Sequence, residues 1–131
     1  MSYESNIAAT DMLFAGEDKI LSYEVFAAGS TTLMEDVAGW ALRWTMKQGN
    51  TTLTKTTSVV LPDPGGITIT GVYNAARATN TQRILVAIAD TDTEGLIEGP
   101  WTCSLKRLDA GLEAILSHGK VHLQAASIRT P

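Results

Sequence analysis

The stretch Val37-Ala38-Gly39-Trp40-Ala41-Leu42-Arg43-Trp44-Thr45-Met46-Lys47 alternates large apolar residues with small, polar or charged ones. Four apolar residues share one parity, and they are Trp40, Leu42, Trp44 and Met46. Successive side chains of a β-strand point to opposite faces, so this alternation would bury both tryptophans and leave Arg43 and Lys47 in water. A helix would scatter the same residues around its axis. The stretch therefore predicts a strand over 37–47.

The same period of two recurs elsewhere in the chain. It is visible in Leu21 to Val25, in Ile67 to Thr70 with an extension to Val72 and Tyr73, in Trp101 to Leu105, and around Val121 and Leu123. Arg83 to Ile88 is almost wholly apolar, which is typical of a strand that is buried on both faces or lies centrally in a sheet. These segments give seven or eight short strands.

Turn-forming residues separate the strands at short intervals. They are Ala28-Gly29-Ser30, Gln48-Gly49-Asn50, Pro62-Asp63-Pro64-Gly65-Gly66 and Leu108-Asp109-Ala110-Gly111. The last of them predicts a hairpin after the Trp101 strand. We expect only a single helical or 3₁₀ turn at 94–99. The sequence therefore predicts an all-β fold, an antiparallel two-sheet β-sandwich of seven to eight strands, with a small barrel as the main alternative.

Length and composition limit the possible functions. The chain has 131 residues, 44% of them hydrophobic, which fits one domain over 1–131 with possible arms at 1–12 and 125–131. Lys and Arg number 10 against 14 Asp and Glu, and the formal net charge of −4 disfavours general binding to nucleic acid. The single cysteine rules out an intrachain disulfide. No apolar run reaches the length of a membrane-spanning helix.

The two histidines and the cysteine are the first candidates for a metal or catalytic site. His118 and His122 have the i,i+4 spacing that chelates zinc on a helix. On a strand, which Gly119 and the alternation around Val121 favour, they lie roughly 13 Å apart and cannot share an ion. Cys103 lies in the alternation of the Trp101 strand, with no base apparent in the sequence. It is therefore expected to be a buried small hydrophobe.

Charged residues suggest two further sites. Asp90, Asp92 and Glu94 alternate as in a calcium loop, but position twelve of that loop, counted from Asp90, is Trp101 instead of a glutamate. A solvated strand end followed by a capped turn is predicted instead. A basic group could gather on one surface, although most charge runs are solvated faces, and it comprises Arg43, Lys47, Lys55, Lys106 and Arg107. We therefore predict no catalytic, cofactor-binding or metal-binding residues and no enzyme activity.

Several short motifs also follow one another in a definite order. They are Gly16-Glu17-Asp18, Asp36-Val37-Ala38-Gly39-Trp40-Ala41-Leu42-Arg43-Trp44, Gly65-Gly66-Ile67, Asp92-Thr93-Glu94-Gly95-Leu96-Ile97-Glu98-Gly99-Pro100-Trp101 with Leu105, Asp109-Ala110-Gly111, and Gly119-Lys120-Val121-His122-Leu123. In this order the chain resembles small immunoglobulin-like modules in virion proteins of tailed bacteriophages, such as the N-terminal module of upper baseplate proteins. The resemblance implies that Leu96 plugs the open end of the sandwich. Gly99 would let the chain reverse, and Gly119 would mark a bulge or a close crossing.

The resemblance implies a non-enzymatic structural protein of the virion. Upper baseplate proteins continue into a stalk and a receptor-binding part, whereas this sequence stops at Pro131. We therefore expect a head decoration (cement), neck or tail component that docks on capsid, neck, tail or baseplate subunits. It would act as a homo-oligomer or in many copies, without nucleic acid or membrane. Since no secretory signal is visible in Met1 to Asn6, assembly in the host cytoplasm is expected.

Two other functions stay open. A baseplate or fibre adaptor would recruit a separate receptor-binding protein and form a trimer or hexamer. A carbohydrate-binding module would need exposed aromatic platforms, whereas the alternation points Trp40, Trp44 and Trp101 inward. The exposure of the three indoles therefore tests the second of these alternatives.

Overall fold

The computed structural model describes residues 12–14 and 18–124. This part of the chain contains eight strands and one helical turn. They are β1 (Met12–Phe14), β2 (Lys19–Tyr23), β3 (Leu42–Gln48), β4 (Thr51–Thr56), β5 (Ile67–Thr70), β6 (Arg83–Ile88), α1 (Asp90–Thr93), β7 (Gly99–Arg107) and β8 (Ala114–Gln124). The predicted all-β fold is confirmed. The arms predicted at 1–12 and 125–131 lie outside the described residues, apart from Met12 at the start of β1. Gly16 and Glu17 of the first motif also lie outside them.

The strands form two sheets. The larger sheet has the order β1-β8-β7-β3-β4, and the smaller has the order β2-β6-β5. Every strand pair is antiparallel except β1 with β8, which is parallel. The chain changes sheet after β1, β2, β4 and β6, which gives the strand grouping of an immunoglobulin-like sandwich instead of a barrel. β6 lies in the centre of the smaller sheet, as its apolar run predicted. Within the described ranges, no helix has the length and apolarity needed to cross a membrane.

The hydrophobic core lies between the two sheets. Leu42, Trp44 and Met46 of β3 are fully buried, as the alternation predicted. The Trp44 Nε1–H donates a hydrogen bond of 3.0 Å to the Tyr23 hydroxyl, which joins β3 to β2 across the core. A buried indole N–H needs such an acceptor, so the bond satisfies a donor that packing alone would leave unpaired.

The strand predicted over 37–47 begins later, at Leu42. Val37 to Trp40 form a turn in which the Trp40 N–H donates to the Val37 carbonyl at 3.1 Å. Gly39 has a φ of +78° in the third position, as a type II turn requires. Trp40 reaches the core from this turn and not from the strand. The period of two continues through the turn, so the pattern alone placed the strand start five residues too early.

Three other expectations are corrected. The helical turn expected at 94–99 lies earlier, at Asp90–Thr93. β5 ends at Thr70, so Val72 and Tyr73 lie beyond the strand in an exposed connection. Gly119 marks neither a bulge nor a close crossing, since it pairs with Cys103 in regular register and its missing Cβ faces open space. The register of β7 and β8 shifts instead between Leu105 and Lys106.

The connection from β6 to β7 closes one end of the sandwich. Leu96 in this connection packs partly buried against the core. The Trp101 Nε1–H donates 2.8 Å to the carbonyl of Ile97, four residues upstream. Trp101 lies two residues before Cys103, which is the position of the tyrosine corner in immunoglobulin domains, and makes the equivalent backbone hydrogen bond. A tryptophan thus fixes this end of the fold.

Candidate functional site: the outer face of the larger sheet

The outer face of the larger sheet carries the side chains that alternate with the core residues. Strand register arranges them in three rows across β4, β3, β7 and β8. The rows are Thr56–Arg43–Lys106–Ile115, Thr54–Thr45–Ser104–His118 and Thr52–Lys47–Thr102–Lys120. We call the eight central positions the cationic face: Arg43, Lys47, Lys106, Lys120, Thr45, Thr102, Ser104 and His118. It consists of two rows with cations that flank a row of hydroxyls and an imidazole.

The four cations of this face are exposed, and none of them forms an ion pair with a carboxylate of residues 12–14 or 18–124. Among the described residues, the ion pairs use other cations, and these are Lys55, Arg77, Arg83 and Arg107. No Asp or Glu occurs anywhere in β3, β4, β7 or β8. The formal net charge of the chain is −4, but the charged side chains of these four strands are all positive. Positive charge is therefore concentrated on this sheet.

Arg43 lies directly opposite Lys106 in the register of β3 and β7. Like charges that face each other across two strands destabilise a sheet, and no carboxylate in these strands neutralises the pair. Residues that break a local rule of stability without a compensating contact in the fold are typical of functional surfaces. The Arg43–Lys106 pair therefore marks this face as the leading candidate site.

The middle row forms the floor of a shallow groove. The hydroxyls of Thr45 and Ser104 are 3.1 Å apart and hydrogen bonded. A groove of about 520 Å³ runs over this pair and is bordered by Lys47, Thr102 and His118. Short hydroxyl side chains lose little conformational entropy when a partner covers them. The groove therefore offers a polar and largely preorganised contact surface.

Only part of the basic group considered from the sequence lies on this face. Arg43, Lys47 and Lys106 lie there together. Lys55 instead forms an ion pair of 2.7 Å with Asp92. Arg107 bonds Asp109 and stacks its guanidinium over the Trp40 ring. Lys120 was missed, although alternation extended backwards from Val121 would have placed its side chain outward.

The other candidates show no converging chemistry. His118 and His122 both lie on β8, and within the described residues no three His, Cys, Asp or Glu side chains gather as metal ligands would. Asp92 accepts a hydrogen bond of 2.7 Å from the Ala89 N–H, so the predicted capped turn is confirmed. Cys103 is buried in the core, as predicted.

Two carboxylates have a lowered pKa for structural reasons. Hydrogen bonds from Arg107 and from the Ala41 N–H lower the pKa of Asp109 below 3.8. Hydrogen bonds from Gln82 and from a backbone N–H lower the pKa of Asp36 in the same way. Asp109 joins its loop to Arg107 of β7, Asp36 joins two connections through Gln82, and neither belongs to the cationic face.

The connection between β4 and β5 adds an apolar feature beside this face. Val59, Val60 and Leu61 are 77%, 74% and 88% exposed, and we call them the apolar loop. The base of the connection is fixed, since the Thr56 N–H donates 2.9 Å to the Gly65 carbonyl. The following Pro62-Asp63-Pro64 segment borders a hollow shared with Arg43 and Thr54 of the larger sheet. Contiguous apolar residues held in solvent are typical of a protein interaction site.

Comparison of the chain with models of known protein families and with curated proteins gives no match. The features that bear on function are therefore the cationic face and the apolar loop of the chain itself.

Proposed function

We propose that this protein is a non-enzymatic structural component of a tailed-phage virion. It docks on neighbouring capsid, neck, tail or baseplate subunits, for example as a head decoration protein. The virion is assembled in the host cytoplasm. The observation that carries the docking role is the unpaired cationic face beside the exposed apolar loop. The order of the sequence motifs carries the assignment to a phage virion.

The two features complement each other in the way that interface residues usually do. Protein interfaces combine an apolar centre that excludes water with polar contacts around it. Val59, Val60 and Leu61 supply the apolar part, and the cations guide a negatively charged partner into place. Valine side chains have few rotamers to lose, so their burial costs little entropy.

Reconstitution on virions tests the proposal. Purified protein added to particles stripped of it should rebind in stoichiometric amounts. Val60→Ser should weaken rebinding at least roughly tenfold, because burying a valine contributes about 1.5–3 kcal/mol and about 1.4 kcal/mol is a factor of ten. Val72→Ser is the matched control, since both valines are 74% exposed and Val72 lies in a different connection. Failure of the wild-type protein to bind any part of the particle contradicts the proposal.

Copy number separates the virion roles. On the order of hundreds of copies per particle would indicate a shell or tail tube, whereas about six or twelve would indicate a neck or baseplate, as symmetric assemblies require. Quantitative mass spectrometry of purified particles gives this number directly. A low count together with a bound receptor-binding protein would favour the adaptor.

The carbohydrate-binding alternative loses the residues on which it depended. Trp40, Trp44 and Trp101 are 9%, 0% and 2% exposed. A sugar platform needs an accessible ring face, so none of these indoles can provide one. We therefore do not propose a carbohydrate-binding role.

A further inference from the structure

A second charged surface lies at the connection between β6 and β7. Asp18, Asp90, Glu94 and Glu98 are all exposed there, and we call them the acidic corner. The Asp90 N–H donates 2.7 Å to an Asp18 carboxylate oxygen, which brings the start of β2 to this corner. Among the described residues, none of the four carboxylates forms a salt bridge.

The charges of the molecule are therefore segregated. The four cations of the cationic face contribute +4 to a formal net charge of −4, so the rest of the chain carries −8. No described salt bridge joins the cationic face to the acidic corner within one copy. Counting the described residues alone, each copy thus presents four cations without an ion-pair partner on the outer face of the larger sheet and four carboxylates without one at the connection between β6 and β7.

We propose that the cationic face of one copy receives the acidic corner of a second copy. Four carboxylates meet four cations, and the contact relieves the repulsion between Arg43 and Lys106 that the isolated chain retains. The two patches differ, so the contact either forms twice in a two-fold dimer, where each patch meets the other, or repeats into a ring or a filament. The inference deepens the proposed function, since it names a second copy as one docking partner in a multi-copy virion component.

Sedimentation velocity at several salt concentrations tests self-association. The wild-type protein should associate at about 0.01 M salt, where the Debye length is about 30 Å, and dissociate at about 1 M, where it is about 3 Å. Lys47→Glu should raise the dissociation constant at least about tenfold, because it places a like charge against the acidic corner. Lys19→Glu is the control for the change in net charge, since Lys19 is also an exposed strand lysine but lies outside the cationic face, next to Asp18 of the acidic corner. It should not weaken association.

A charge exchange separates a specific contact from general attraction. Lys47→Glu/Lys120→Glu brings the formal charge of the face from +4 to 0, and Glu94→Lys/Glu98→Lys brings that of the corner from −4 to 0, so each variant alone should stay monomeric. Their mixture should associate again, because the unaltered corner of the first variant meets the unaltered face of the second. Circular dichroism of each variant checks that it is folded.

Three results would overturn the inference. They are a wild-type protein that stays monomeric at low salt, equal effects of Lys47→Glu and Lys19→Glu, and a mixture of the two double variants that does not associate. If the monomeric protein still rebinds to stripped virions, the proposed function stands and the cationic face meets a different protein. If the protein self-associates but binds no virion, the inference stands and the proposed function falls.

Discussion

At the scale of single residues, the Tyr23 hydroxyl accepts the indole N–H of Trp44 at 3.0 Å inside the core. The two side chains are 1% and 0% exposed, so water cannot replace the acceptor. Removing it leaves a buried donor unpaired, which costs about 1–3 kcal/mol. We expect Tyr23→Phe to lower the free energy of unfolding by this amount, measured by urea denaturation with tryptophan fluorescence.

Tyr73→Phe is the control for that change. The Tyr73 hydroxyl also donates a hydrogen bond, of 3.0 Å to the Met34 carbonyl, but the residue is 37% exposed. Met34 is buried, but Tyr73 reaches solvent, so a water molecule can enter where its hydroxyl is removed and donate to the carbonyl, and the loss should stay below about 1 kcal/mol. If Tyr23→Phe and Tyr73→Phe lowered the free energy of unfolding equally, burial of the Tyr23–Trp44 hydrogen bond would not explain its contribution.

Asp109 gives the fold a pH dependence. Its pKa is lowered by hydrogen bonds from Arg107 and the Ala41 N–H, so the ionised form is favoured in the folded state. The resulting stability is present above the ordinary pKa of 3.8 and is lost as the pH falls through the lower, folded value. Asp109→Asn should therefore destabilise the protein at about pH 6 and match the wild type progressively below about pH 4. A urea midpoint difference that is independent of pH would contradict this.

At the scale of elements, Gly71 fixes the end of β5. It has a φ of +86°, and a Cβ at this position would overlap the backbone carbonyl of Thr81. Gly71→Ala should therefore cost at least about 2 kcal/mol, because backbone strain and a clash add. Gly95→Ala is the matched control, since nothing lies within 4 Å of its Cβ position. Thermal unfolding should show a large loss in the first variant and almost none in the second.

The like-charge pair between β3 and β7 makes a prediction of the opposite sign. Lys106→Glu places a carboxylate opposite Arg43 and should stabilise the protein by about 0.2–1 kcal/mol, since opposite charges in a cross-strand pair attract. The gain should shrink with added salt. Lys120→Glu faces Thr102 instead and should gain less. Destabilisation by Lys106→Glu, in urea at low salt, would show that the pair carries no repulsion.

The sequence could predict the strands whose two faces differ in hydrophobicity. β3 and β7 alternate strongly, so the inward direction of Trp44 and Trp101 was evident before the structure. β4 alternates threonine with leucine and lysine, so its parity was hidden and the pairing of Lys55 with Asp92 was not foreseen. The start of β3 was misplaced because the apolar residues alternate in the turn as they do in the strand. Only the backbone hydrogen bonds distinguish the two, and the alternation does not show them.

The candidate site was harder to predict, because it depends on contacts between distant strands. The sequence placed Arg43 and Lys106 outward on their own strands, but their direct opposition follows from the pairing of β3 with β7. Lys120 joins them through the register of β8, which a shift next to Leu105 sets. Registers of this kind arise from packing of the whole sheet, and a local pattern does not contain them.

At the scale of the whole molecule, one core joins both sheets. Leu21 and Ile84 of the smaller sheet belong to the same buried cluster as Trp44 and Trp101 of the larger one. Neither sheet can lose its partner without exposing this cluster, so unfolding should be a single cooperative transition. Urea curves followed by circular dichroism, which reports the strands, and by tryptophan fluorescence, which reports the core, should therefore coincide.

The folded protein should also show blue-shifted tryptophan emission that acrylamide quenches poorly, because the three indoles are at most 9% exposed. Two separated transitions, or readily quenched tryptophans, would mean that the sheets do not share a core. The larger sheet, which carries the cationic face, would then lack the rigid packing against the smaller sheet.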